Sequence, residues 1–107
     1  MQTEELTKEG LTPKQHFEKE LAEISFQELQ KFFAKGMLIK VASHLDMVEV
    51  ALQIHADNVA QVQQWMDNQD IERAHDEHAQ VWVDNCSVLR AVTVAPWVLV
   101  QDNNQLN

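Results

Sequence analysis

Glycine, proline and cysteine are nearly missing from this chain, and tyrosine is absent. Its 107 residues hold two glycines, two prolines and one cysteine. With only Gly10 and Gly36, no glycine-rich phosphate cradle of the P-loop or dinucleotide type can be built. The lone Cys86 cannot close an internal disulfide and lacks the CxxC spacing of a redox or zinc site, which fits a reducing compartment. Basic residues are scarce as well: eight Lys and Arg face seventeen acids, for a formal net charge of −9. Nucleic-acid backbones and anionic membranes are tracked by clustered cations, so the composition argues against both as partners. Long apolar runs are missing too. The longest, Ala91 to Val100, spans about ten residues against the roughly twenty a membrane helix needs.

What is present suits one small folded domain. About 45% of the residues are apolar, too many for a disordered chain. The charge is uneven. Residues 1–40 carry seven acids and six bases, net −1; residues 41–107 carry ten acids and two bases, net −8. No Lys or Arg occurs between Val41 and Glu72. Such a stretch reads as a solvated acidic face, or more sharply as a docking face for a basic partner. The first residues, MQTEELTKEG, are polar and acidic, unlike a secretory signal or transit peptide. A cytoplasmic protein is the expectation.

Residues 1–11 lack periodicity and read as a frayed tail. Thr12, Pro13 and Gln15 form a helix start with a capping box, and Phe17, Leu21 and Ile24 follow on one stripe. At Ser25 the phase changes. Phe26, Leu29, Phe32 and Phe33 make a second helix over about 26–35, ended by Gly36. Residues 37–42 read as a strand. Residues 47–55 fit two templates. The β-branched Val48, Val50 and Ile54 favour a strand in a hairpin with 37–42. A helix with Asp46, Glu49 and Gln53 as its polar stripe is the alternative.

Asp57 or Asn58 caps the next helix, whose Val59, Val62, Trp65 and Met66 share a face. Ile71 anchors a linker. Asp76 caps a helix to about Asp84 that buries Ala79, Trp82 and Val83. Residues 84–87 turn, and Val88 to Gln101 is the strongest strand, with Pro96 forced to an edge, bulge or bend. The expected order is α-α-β-β-α-α-β. It makes an α+β domain over 12–101 with helices on one face of a small antiparallel or mixed sheet, and a polar tail at 102–107.

Four blocks carry a resemblance. They are Glu28 to Gly36 (ELQKFFAKG), Leu45 to Ala51 (LDMVEVA), Ala56-Asp57-Asn58 with Val62 and Trp65 following, and Ala95 to Gln101 (APWVLVQ). In this order, across about residues 20–101, the chain resembles a small bacterial family catalogued as a domain of unknown function. It departs from the family pattern at Ala74-His75, where Pro-Thr is more usual. The resemblance implies a compact single-domain bacterial protein and carries over no activity, cofactor or site residue.

Candidate chemistry is sparse. His75 and His78 stand three apart, but zinc needs three or four ligands, and no HExxH motif is present. Cys86 has no basic partner at fixed spacing. His44, Asp46, Glu49, Gln53 and His55 offer a carboxylate and an imidazole on one segment, the minimum for general acid–base work. Asp46 also suits a turn, whose backbone it can bond. Trp97 beside Pro96 is either a core residue or an exposed binding anchor. The expected functional surface comprises Asp46, Glu49, Gln53, His55, Trp97 and Gln101, with no catalytic, cofactor-binding or metal-binding residue assigned. The leading expectation is a non-enzymatic interaction module that binds a protein partner or itself, in one form through the edge of strand 88–101. A small enzyme or ligand-binding protein using Asp46–His55 is the alternative.

Overall fold

The computed structural model describes residues 10–102. Five helices and five strands follow one another along them in the order α-β-α-β-α-α-β-α-β-β. The helices are α1 (Pro13–Glu20), α2 (Phe26–Ala34), α3 (Met47–His55), α4 (Val59–Asp67) and α5 (Asp76–Asp84). The strands are β1 (Ala22–Ser25), β2 (Leu38–Val41), β3 (Ile71–Arg73), β4 (Val88–Val94) and β5 (Trp97–Asp102). They form one sheet in the order β1-β4-β5-β2-β3, antiparallel except for the parallel pair β2–β5. The expected α+β class and single mixed sheet are what the structure has.

The helices lie on both faces of that sheet, not on one. Successive strand residues point to opposite sides, and here both sides are apolar. On β5, Leu99 packs with Phe17 of α1 and with Met47, Val50 and Ala51 of α3. Its neighbours Val98 and Val100 pack with Phe26 and Leu29 of α2 and Trp82 of α5. β4 divides the same way, with Val92 and Val94 on the first side and Leu89 and Ala91 on the second. Strands β4 and β5 therefore feed two cores.

Local chemistry explains most boundaries. Thr12 and Gln15 form the reciprocal cap read from the sequence, with Gln15 N–H donating to the Thr12 hydroxyl at 3.2 Å and Thr12 N–H to the Gln15 side chain at 3.0 Å. The helix stops at Glu20, however, and 22–25 is β1, paired with Val88–Ala91 of β4. The Phe17–Leu21–Ile24 stripe thus breaks in two: Phe17 and Leu21 serve one core, Ile24 the other.

Residues 47–55 form a helix, so the expected hairpin with 37–42 does not exist. β2 pairs instead with β3, in the stretch read as a linker. The helix wins because it buries Met47, Val48, Val50 and Ala51 together, while Asp46 satisfies its first free amides. Val88 to Gln101 is not one strand but the hairpin β4–β5. It turns at Ala95-Pro96, whose peptide bond is cis. Pro96 occupies the bend that its missing N–H called for.

Gly36 ends α2 with φ of +72°. Three other helices end in the same left-handed geometry without glycine, at Asp57, Gln69 and Cys86, with φ of 59°, 62° and 51°. Each carries the paired backbone bonds of such a cap, as in Gln69 N–H to Met66 O at 3.0 Å and Asp70 N–H to Trp65 O at 2.8 Å. Residues 1–9 and 103–107 of the expected tails lie outside the described residues; Asp102, assigned to the second tail, is the last residue of β5.

Candidate functional site

The residues singled out from the sequence are brought to different places. Asp46 is the N-cap of α3. Its Oδ1 accepts from Val48 N–H at 2.9 Å and Glu49 N–H at 3.3 Å. Glu49 and Gln53 do share a face of that helix, and they are spent on each other. Gln53 Nε2 donates to Glu49 Oε2 at 2.6 Å, and Gln53 Oε1 accepts from Asn58 Nδ2 at 2.7 Å. Asn58 in turn caps α4 by accepting from Gln61 N–H at 3.3 Å. This polar ladder ties two consecutive helices together. His55 sets its ring edge-on to Phe17, with centroids 5.7 Å apart. His44 faces Asp70 at 3.4 Å.

Gln101 is not on the surface. It is 5% exposed, and its Nε2 donates to the main-chain oxygens of Ala42 and Leu45, each at 2.8 Å. It holds the loop between β2 and α3. Trp97 lies four residues away on β5, about 13 Å at the rise of an extended strand. The six expected surface residues therefore do not form one patch.

His75 and His78 meet at the start of α5. His75 N–H donates to His78 Nδ1 at 3.0 Å, and the two rings stack with centroids 5.3 Å apart. His78 stacks in turn on Trp82, and His75 Nε2 lies 3.3 Å from Glu72. His75 occupies the cap position that the sequence suggested for Asp76. Partial burial and then the Lys40 ammonium hold the His78 pKa below its ordinary value, against the opposing pull of Glu72. Among the described residues no three His, Cys, Asp or Glu side chains converge as a metal-binding group.

A concavity lies elsewhere, between α4 and the sheet. It is a groove of about 530 Å³. Ile39 of β2, Ile71 of β3 and Trp97 of β5 lie on the same side of three adjacent strands and line it from the sheet. Val59, Val62 and Met66 of α4 line it from the helix. The helical stripe Val59–Val62–Trp65–Met66 read from the sequence is real but only half covered. Val62 and Trp65 reach the core, while Val59 is 66% and Met66 51% exposed. Arg73 also lines the groove, its guanidinium 5.9 Å from the Trp97 ring centroid. Volume and lining match the usual small recognition site, mostly apolar with a few polar groups at the margin.

Of the groove residues, the sequence reading had named Trp97 as functional and missed Arg73. One sign of it was available: Arg73 is the only Lys or Arg between Lys40 and Arg90. Its place on the groove side depended on recognising β3, whose alternation sends Ile71 and Arg73 one way and Glu72 the other.

Strand 88–101 does not offer the free edge expected for self-association. β4 is covered by β1 and β5 by β2, and the sheet edges are β1 and β3. No helix among the described residues is long and apolar enough to cross a membrane.

Comparison with known proteins agrees with the fold. The NMR solution structure of PA1075 from Pseudomonas aeruginosa superposes with a TM-score of 0.80 and 33% sequence identity, covering 96% of this chain and 95% of that one. A search of curated proteins gives no match. The model of a family described as "Protein of unknown function (DUF2288)" matches residues 12–102, the span of both cores and all ten elements. On that match the chain belongs to the DUF2288 family.

Proposed function

We propose that this protein is a non-enzymatic interaction module that holds a short apolar segment of a partner protein in the groove between α4 and the sheet. One observation carries the reading: Val59 and Met66 stand exposed on a helix directly beside Trp97, so apolar surface from two elements faces one open groove. Large apolar side chains around a concavity are the usual anchors of protein recognition. The polar segment Asp46–His55, the alternative site, has Asp46, Glu49 and Gln53 engaged in capping and in the ladder to Asn58, and the His55 ring set against Phe17. A bacterial cytoplasmic setting is supported by the single thiol and by the Pseudomonas neighbour. The net charge of −9 supports a partner other than nucleic acid or a membrane surface.

The test is site-specific photo-crosslinking in cells. A benzophenone amino acid replaces Met66 on the groove rim, or Glu28 on α2 in the opposite layer. A discrete product from the Met66 position alone, lost when Val62→Asp is added, is the expected result. A product from both positions, from neither, or a crosslinked dimer of this chain overturns the reading.

A further inference from the structure

We infer that Arg73 and Trp97 together form a carboxylate anchor, so that the segment taken by the groove carries an acidic side chain beside its apolar residues. The inference rests on the groove being the binding site proposed above and adds the chemistry of its occupant.

Arg73 is placed as a recognition residue is. The Trp97 ring lies under its guanidinium at 5.9 Å, a cation–π distance. Such stacking steadies the planar fork and leaves its N–H edges free for a carboxylate. The protein itself does not supply that carboxylate. Seventeen acids face eight bases in this chain, yet among the described residues none of the acids forms an ion pair with Arg73. Its sequence neighbour Glu72 is turned by strand alternation toward His75, 3.3 Å away. A paired guanidinium would be no surprise in so acidic a molecule; one without an ion pair, stacked on Trp97 in the lining of a mostly apolar groove, is a group that a ligand can satisfy.

Two acids line the groove beside Arg73 and work against the anchor, Asp57 and Glu72, the second of them drawn toward His75. Asp57 is fixed at the end of α3 in a left-handed turn at φ of 59° and outside ion-pair reach of Arg73. It weakens the local positive potential without neutralising it at contact. Removing Asp57 should therefore strengthen the capture of a carboxylate, while removing Arg73 should abolish the preference for one.

The experiment is an NMR titration of the ¹⁵N-labelled full chain with two capped hexapeptides, Ala-Leu-Phe-Glu-Leu-Ala and its twin with Gln for Glu. Both are expected to shift the Trp97 indole and the amides of α4. The acidic peptide is expected to bind roughly fivefold tighter, the size of one ordinary net hydrogen bond, because the site is open to solvent and has acids nearby. Arg73→Gln should make the two peptides equal while leaving the affinity for the Gln twin unchanged. Arg73→Lys should keep part of the preference, and Asp57→Asn should widen it. Equal affinities in the native protein, or a preference that survives Arg73→Gln, overturn the anchor and leave the groove reading standing. Shifts confined to residues outside the groove, or no shifts at millimolar peptide, overturn both.

Discussion

The side-chain nitrogen of Gln101 lies 2.8 Å from the carbonyl oxygen of Ala42, which is 59 residues away along the chain. The same nitrogen reaches Leu45 O at the same distance, so one amide fixes both ends of the loop that delivers Asp46 to its capping position. A carboxamide is suited to this because its NH₂ group has two protons to give. Replacing Gln101 with Met keeps the shape and removes both donors. The expected cost is roughly 1–3 kcal/mol, the usual penalty for a buried group left without its partner. Gln101→Glu should cost more, since a carboxylate would face two carbonyl oxygens. Urea denaturation of the purified variants checks both.

Asp46 gives a second prediction. As a cap it should tolerate Asn, which keeps an acceptor oxygen. Asp46→Ala should lose about 1 kcal/mol of stability. Neither change should alter binding in the groove. If Asp46→Asn abolished a binding or cellular phenotype while stability held, Asp46 would have a chemical role that its geometry does not show.

Helix ends supply a third. Gln69 and Cys86 hold left-handed conformations that disfavour a side chain. Gln69→Gly is expected to stabilise the protein by up to ~1 kcal/mol, the relief of strain exceeding the added freedom of the unfolded chain. Gly36→Ala, the reverse change at the end of α2, is expected to destabilise by a similar amount. Thermal melts of the two variants should move in opposite directions.

The fourth concerns pH. Because the His78 pKa is lowered in the folded state, chiefly by burial and next by Lys40, the unfolded chain takes up the proton more readily. Its contribution to stability is complete above pH 6.5, its ordinary pKa, and is lost as the pH falls below that value toward the folded pKa. His78→Gln should flatten this part of the stability profile, and Lys40→Gln should flatten it partially. Chemical denaturation at a series of pH values between neutrality and mild acid measures the slope.

Where the sequence was readable, the determinants were local. Thr12-Pro13, Ser25 and Gly36 each mark a boundary by their own backbone preference, and those boundaries are correct. Where it misled, the determinant was distant. The short stretch Ala22–Ser25 is a strand because β4 lies far along the chain, where Ala91 pairs with Ala22 across 69 positions. Residues 47–55 carry β-branched side chains that suit a strand, and only the fit of Met47, Val50 and Ala51 between α1 and the sheet settles them as a helix. The polar stripe Asp46–Glu49–Gln53 recorded that outcome in advance, since its members bond at helical spacing. The groove was half legible. Val59, Val62, Met66 and Trp97 stood out as large apolar residues, but their meeting depends on the β5–β2–β3 order, which no local pattern announces.

That strand order also has a consequence for synthesis. The central strand β5 and its neighbour β4 are the last two made, and each contributes side chains to both cores. While the ribosome is still short of Val88, the only sheet pairing within reach of the nascent chain is β2 with β3. Phe17, Phe26, Leu29 and Trp82 can meet one another's helices by then, but the strands on which both cores close are still missing. Folding is therefore held back until the final hairpin is released, and a premature stop before it yields a chain fit for chaperones or proteases rather than a smaller domain.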